Sequence, residues 1–246
     1  MVEDWKQGRR QALEVSSAFS SRQDFRIDTL VVEYEFKFNL GLILEDGDDV
    51  PEGFVRPTDN AVCGEASLKY PVGWTLDPYV SASAQTQITE SFRVAKSVPH
   101  RTAKLWDPIT TQQSLGFAYS TKHGANNLTA RLGFSLKQIR AKRHTALTDD
   151  RKTREITERY KAESGISFRT DARLQLDSAV NYTGKLDLFG TFDNPEVWVV
   201  KFENQFDIKV WKFLGILVEL DIYYDESQSV NLQYNQNARF GIVAKI

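Results

Sequence analysis

"LVVEYEFKFNLGLIL", residues 30–44, carries two different rows of side chains on one stretch of backbone. Leu30, Val32, Tyr34, Phe36, Phe38, Leu40, Leu42 and Leu44 occupy one set of alternate positions, and Val31, Glu33, Glu35, Lys37, Asn39, Gly41 and Ile43 the other. Successive strand residues point to opposite faces, so a period of two predicts a β-strand with one apolar face and one largely polar face. At 15 residues it exceeds the ~5–6 residues usual for strands of globular proteins. Its length asks what covers the apolar face: a protein core, or lipid.

The same alternation recurs along the chain. Leu128, Ala130, Leu132, Phe134 and Leu136 oppose Thr129, Arg131, Gly133, Ser135 and Lys137. Trp198, Val200, Phe202, Phe206, Ile208 and Val210 oppose Lys201, Glu203, Gln205, Asp207 and Lys209. Val180, Tyr182, Leu186 and Leu188 stand against Lys185 and Asp187, and Leu214 to Tyr224 against Glu219 and Asp221. Helical periodicity is absent except in part of 146–158. The reading is an all-β chain, one domain over 1–246, with about eleven strands near 11–20, 27–44, 61–71, 74–92, 110–119, 127–140, 158–170, 173–189, 196–209, 213–224 and 230–246. Short connections ("SRQDF", "PVG", "DAR", "WKF") alternate with long ones (45–60, 93–109, 141–157), the asymmetry of an antiparallel up-and-down transmembrane barrel.

Composition permits this. The 246 residues hold 31 basic and 33 acidic side chains, so no field for a polyanion is implied. Mean hydropathy is negative, which a barrel with a polar inward face tolerates. One cysteine, Cys63, excludes an intramolecular disulfide framework. The 15 Phe, 9 Tyr and 5 Trp suit interfacial belts. Tyr70, Trp74, Trp211 and Phe213 fall near short turns; Phe92, Tyr160, Phe189, Trp198 and Tyr224 fall near long connections. A soluble sandwich or barrel would instead bury the apolar row inside. Strand length, the two aromatic groups and the lack of helices to cover so large a sheet favour lipid outside and a polar lumen.

The stretches "LWDPITTQQSLGFAYS", "LTARLGFSLKQ", "WTLDPYVSASAQTQ" and, most specifically, 186–225 within "KLDLFGTFDNPEVWVVKFENQFDIKVWKFLGILVELDIYYDES" resemble an uncharacterised outer-membrane β-barrel family of Gram-negative bacteria, a domain of unknown function. The resemblance spans about Asp4 to the end. It implies an outer-membrane location with a periplasmic C-terminus, and brings no catalytic residues. Its members typically end in an aromatic residue, whereas this chain ends "VAKI".

"MVEDWKQGRR" has no apolar central region and is not read as a signal peptide. A bacterial barrel of this kind has an even strand number. Twelve strands are therefore expected in the complete protein, the first supplied upstream, by another chain, or least plausibly by residues 1–10.

The candidate lumen-lining residues are Glu33, Glu35, Lys37, Glu65, Lys69, Arg131, Lys137, Lys185, Asp187, Lys201, Glu203, Asp207, Lys209, Glu219, Asp221 and Arg239, with Lys161 and Glu163. They can pair across strands and fill the interior, or line a narrow passive channel for small solutes. Other readings are a barrel anchoring a partner complex and a soluble β-barrel lipid carrier. No Ser/His/acid set or His/Cys spacing calls for catalysis, a cofactor or a metal. The acidic stretch 45–59 lacks calcium-loop spacing and reads as a solvated loop. Arg140, Lys142, Arg143, Arg151, Lys152 and Arg154 are candidates for phosphates of an outer-leaflet glycolipid, or for pairing with Asp149, Asp150 and Glu155.

Overall fold

The computed structural model describes residues 11–46, 54–95, 98–149, 156–211, 213–225 and 229–242. Its strands are β1 (Gln11–Ile27), β2 (Leu30–Asp46), β3 (Phe54–Lys69), β4 (Asp77–Thr86), β5 (Ser91–Ala95), β6 (Val98–Ala103), β7 (Ile109–His123), β8 (Asn126–Arg140), β9 (Tyr160–Gln175), β10 (Val180–Thr191), β11 (Trp198–Lys209), β12 (Leu214–Asp225) and β13 (Ser229–Ile242). All except β5 and β6 join one antiparallel sheet in chain order, from β1 to β13. β5 and β6 pair only with each other. A single 3-10 turn, Thr145–Leu147, is the only helical element among the described residues.

The chain is all-β with up-and-down order. Closure and strand count differ from expectation. β1 and β13 are the two ends of the strand order and are not paired with each other among the described residues, so the sheet is a curled, open one. Residues 93–109, expected as a loop, contain β6 and the end of β5. Of the stretch 146–158, residues 150–155 lie outside the described residues, and the described part holds only the end of the turn Thr145–Leu147.

Several boundaries move because turn-forming side chains sit inside strands. "SRQDF" belongs to β1, and the actual turn is Asp28-Thr29. Asp28 adopts φ 51°, a left-handed conformation that Asp tolerates and tight hairpins require. "DAR", residues 171–173, runs through β9, whose turn lies at 176–179. β3 starts at Phe54, so the connection before it is 47–53, outside the described residues. The short and long connections fall on opposite rims as expected at 28–29 and 124–125 against 87–108 and 141–159. The rule weakens elsewhere, since 70–76 is longer than 226–228.

The outward face is apolar and bare. Leu115, Phe117, Leu132, Phe134, Leu136 and Ile166 form adjacent rows on β7, β8 and β9, with Phe134 65% exposed. The chain exposes 17450 Å², where a compact water-soluble protein of this size would expose roughly 11,000 Å². Buried apolar residues are few: Tyr79, Ala103, Ala118, Ile139, Ala141 and Phe189 among those described. What the inward face lacks in apolar core it has in charge.

Candidate functional site

The inward charges set like beside like at two places. On β2 and β3, Glu33, Glu35 and Glu65 lie together, and Glu35 is directly opposite Glu65 in the register. On β8 and β9, Arg131 is directly opposite Arg169. Like charges in directly opposed positions destabilise a flat sheet. Curling resolves both conflicts, because Glu33, Glu35 and Glu65 then meet Arg131, Arg169 and Lys185.

Arg131, 7% exposed in its side chain, pairs with Glu33, with Glu65 at 3.5 Å and with Asp171 at 3.5 Å. Arg169 pairs with Glu65 and with Asp187 at 2.7 Å. Arg22 reaches from β1 to Asp171 at 3.5 Å and Glu33 at 3.8 Å, and Lys69 approaches Glu33 at 3.9 Å. A second set runs Lys185–Glu35 at 2.7 Å, Glu35–Lys37 at 3.7 Å, Lys37–Glu203 at 2.9 Å and Glu203–Lys201 at 2.6 Å. Four cations (Arg22, Lys69, Arg131, Arg169) meet five carboxylates in the first set (Glu33, Glu65, Asp171, Asp187 and, through Arg22 at 3.9 Å, Asp24).

These pairs bridge strands far apart in the sheet. Lys37 on β2 meets Glu203 on β11, and Arg131 on β8 meets Glu33 on β2. Side-chain-filled interiors are typical of barrels of about eight strands. A sheet of this many strands reaches the same filling only with a flattened cross-section that brings opposite walls within one pair's reach.

Above the ion pairs lies a neutral layer. Ser114, Ser135 and Ser167 link β7, β8 and β9 by hydroxyl hydrogen bonds of 2.6 and 2.5 Å. In the adjoining row Tyr79 and Phe189, both buried, flank Gly116, Gly133 and Ser167. A Cβ on Gly133 would lie 2.9 Å from the Tyr79 hydroxyl, so glycine makes room for the ring. Phe189 therefore faces inward, with the Lys137 ammonium 5.8 Å from its ring centre, and is no part of an aromatic belt. Its odd position, shared with Lys185 and Asp187, sets that direction.

The structure brings together Glu33, Glu35, Lys37, Glu65, Lys69, Arg131, Lys185, Asp187, Lys201 and Glu203. Lys137 stands apart with Glu163 (3.8 Å), which also pairs with Lys161 (2.7 Å). Asp207 accepts hydrogen bonds from Gln205, and Lys209 is exposed at the strand end. Glu219 and Asp221 share the inward face of β12. Arg239 pairs in register with Leu217, and its side chain lies outside the described residues. Arg22, Arg169 and Asp171 were not expected. Arg22 and Asp171 fell in stretches read as turns, yet "SFRTDARLQ" alternates without interruption, and that period could have found Arg169 and Asp171.

One polar side chain on the outward face shows how that face treats polarity. Asn204 is buried at 6% exposure beneath Tyr182, whose hydroxyl donates to its Oδ1 at 2.7 Å. Its Nδ2 donates to the Leu220 carbonyl at 3.2 Å, and the Tyr182 ring packs on Phe206 with centroids 5.0 Å apart. The ring lies over Gly184, directly opposite Asn204, where any Cβ would collide with the Tyr182 hydroxyl. An aromatic folded over a glycine is a device for covering exposed backbone; in this position it also hides an amide.

Tyr70, Trp74, Trp211 and Phe213 are exposed near the short-turn rim. Trp198, Tyr160 and half-buried Tyr224 lie near the other rim. The Phe92 side chain is outside the described residues. Trp106, 59% exposed, joins the second group unforeseen.

At that second rim Arg140 and Lys142 line an open recess of about 540 Å³ with Arg159, Trp106, Ile109, Ala141 and Tyr160. Arg143 is exposed beside it, while Arg151, Lys152 and Arg154 lie outside the described residues. The nearby Asp107 carboxylate accepts from the backbone N–H groups of Lys142 (2.7 Å) and Arg143 (2.9 Å). Burial works against its ionisation, but the backbone donors of Lys142, Arg143 and His144 and the His144 charge outweigh it and hold this carboxyl below its ordinary range.

No protein-family model matches the chain, and no curated protein matches it.

Proposed function

We propose that the chain is a membrane-spanning β-barrel of the bacterial outer-membrane kind, serving as a structural barrel whose interior is packed with ion pairs. The inverted polarity of the sheet carries this reading: Phe134 and Leu132 are bare on one face while Arg131 is enclosed on the other. In water that arrangement leaves a large apolar surface uncovered; in lipid it satisfies both faces. The aromatic groups at the two rims and the hidden amide of Asn204 support the same environment. The reading includes pairing of the β1 and β13 edges, since an open edge strands backbone polar groups in hydrocarbon. It also includes membership of the outer-membrane family that the sequence resembles.

The test is membrane fractionation joined to gel mobility. The chain is expected in the outer-membrane fraction, migrating differently before and after heating. A monomer soluble without detergent overturns the proposal. A narrow passive channel is the second reading, favoured by the incompletely covered inward ammonium of Lys201, 45% exposed. Stepwise conductance in a planar bilayer would select it; silence selects the packed barrel.

A further inference from the structure

The outward rows of β7, β8 and β9 change character toward the long-connection rim. Leu115–Phe134–Ile166 is apolar, with Leu136 one row further. The next rows carry Gln113, Ser164, Thr111, Gln138 and Ala162. The last row is Ile109–Arg140–Tyr160. Arg140 therefore stands four residues beyond Leu136, about 13 Å along the strand.

That last row belongs to the recess. Arg140 lies 5.6 Å from the Tyr160 ring centre, and Arg159 and Lys142 line the recess with it beside exposed Trp106. None of the three has an ion-pair partner among the described residues. The Asp107 carboxylate beside them is engaged by the backbone N–H groups of Lys142 and Arg143 rather than by these side chains. Guanidinium groups bind phosphate in bidentate fashion, and aromatic rings at headgroup depth flank such sites.

Resting on the membrane-spanning reading, we infer that this recess binds the phosphate of a phosphorylated glycolipid in the leaflet at the long-connection rim. The polar rows select the class. A glycerophospholipid carries its phosphate next to the acyl boundary, near Leu136, short of Arg140. A headgroup with sugar units between acyl chains and phosphate spans the gap, and its hydroxyls lie along the amide and hydroxyl groups of Gln113, Gln138 and Thr111. The Gln138 to Gln113 hydrogen bond of 3.2 Å keeps this polar strip ordered while leaving donor and acceptor capacity for sugar hydroxyls.

The test uses the full chain inserted in phosphatidylcholine vesicles, titrated with a fluorescent phosphorylated, acylated disaccharide. The double variant Arg140→Gln/Arg159→Gln is expected to weaken binding about 30-fold. Arg26→Gln/Lys122→Gln, which removes two charges at the opposite rim, is expected to leave it unchanged. Phosphatidate is expected to compete poorly, and inorganic phosphate not at all. Equal binding by the Arg140/Arg159 variant, or an equal loss in the Arg26/Lys122 variant, overturns the site. Phosphatidate competing as well as the disaccharide overturns the glycolipid. Normal insertion with either result leaves the barrel reading standing, whereas failure to insert in any vesicle overturns both.

Discussion

Glu203 and Asn204 are neighbours on β11 and point to opposite faces. Glu203 holds two ammonium groups, one from its own strand and one from the far wall. Asn204, an uncharged amide, is roofed by Tyr182 and Phe206 and has its groups taken up by a hydroxyl and a carbonyl. Inside, polarity is met by opposite polarity arriving from across the curl. Outside, on β10–β12, this amide is concealed, although Gln236 in the same row on β13 is exposed. A water-facing surface would give no reason for concealment, because solvent satisfies an exposed amide.

Arg131 offers the largest break in that contrast. Arg131→Ala leaves Glu33, Glu65 and Asp171 crowded without their shared cation. A loss of about 3–5 kcal/mol is expected, measurable as a lower urea midpoint of the folded form in detergent. Arg131→Met together with Glu33→Gln should recover part of it.

Leu132→Arg probes the other face at the neighbouring position. A cost of about 2–4 kcal/mol is expected if the middle of that face lies in lipid, and almost none if it lies in water. Urea unfolding in lipid vesicles distinguishes the two, so a neutral outcome would count directly against the membrane reading.

Tyr182→Phe keeps the ring over Gly184 but removes the donor to Asn204. Stranding a buried amide oxygen costs about 1–3 kcal/mol. The companion variant Asn204→Ala, carried with Tyr182→Phe, should be milder than Tyr182→Phe alone. If Tyr182→Phe were neutral, the concealment of Asn204 would carry no energetic weight.

The smallest effect belongs to Asp107, outside the strands. Its carboxyl is held below the ordinary value of 3.8, so the folded state favours the ionised form. Its stabilisation is complete above 3.8 and fades as pH falls from there through the lower folded value. Protease sensitivity of the 141–149 connection should rise over that acid range in the wild type. Asp107→Asn should raise it at neutral pH and flatten the acid dependence.

The fold was legible where large apolar residues alternate with charge. β2, β8 and β11 announce themselves because both rows are strongly typed, and their inward charges follow by parity. Legibility failed where local chemistry imitated a turn. Asp24 in β1 and Asp171 in β9 favour turns in isolation, yet ladder pairing on Asp24 and Asp171 holds each in a strand. β5 and β6 were missed because neither has more than a few residues of alternation. The rim recess was half visible: Arg140 and Lys142 are close in sequence, but Arg159 joins them only through the β8–β9 register. Phe189 shows the opposite error, a residue assigned by its type when its parity already fixed its face.

The opposed walls also set an order of events. Sheet neighbours are mostly neighbours in sequence, so hairpins such as β1–β2 and β7–β8 can zip with little search. Lys37 and Glu203, 166 residues apart, meet only once both ends are laid down. Until then the Glu33, Glu35 and Glu65 carboxylates and the Arg131 and Arg169 cations attract each other over a distance set by electrolyte. Final collapse of the curl is thus expected to come late and to depend on ionic strength.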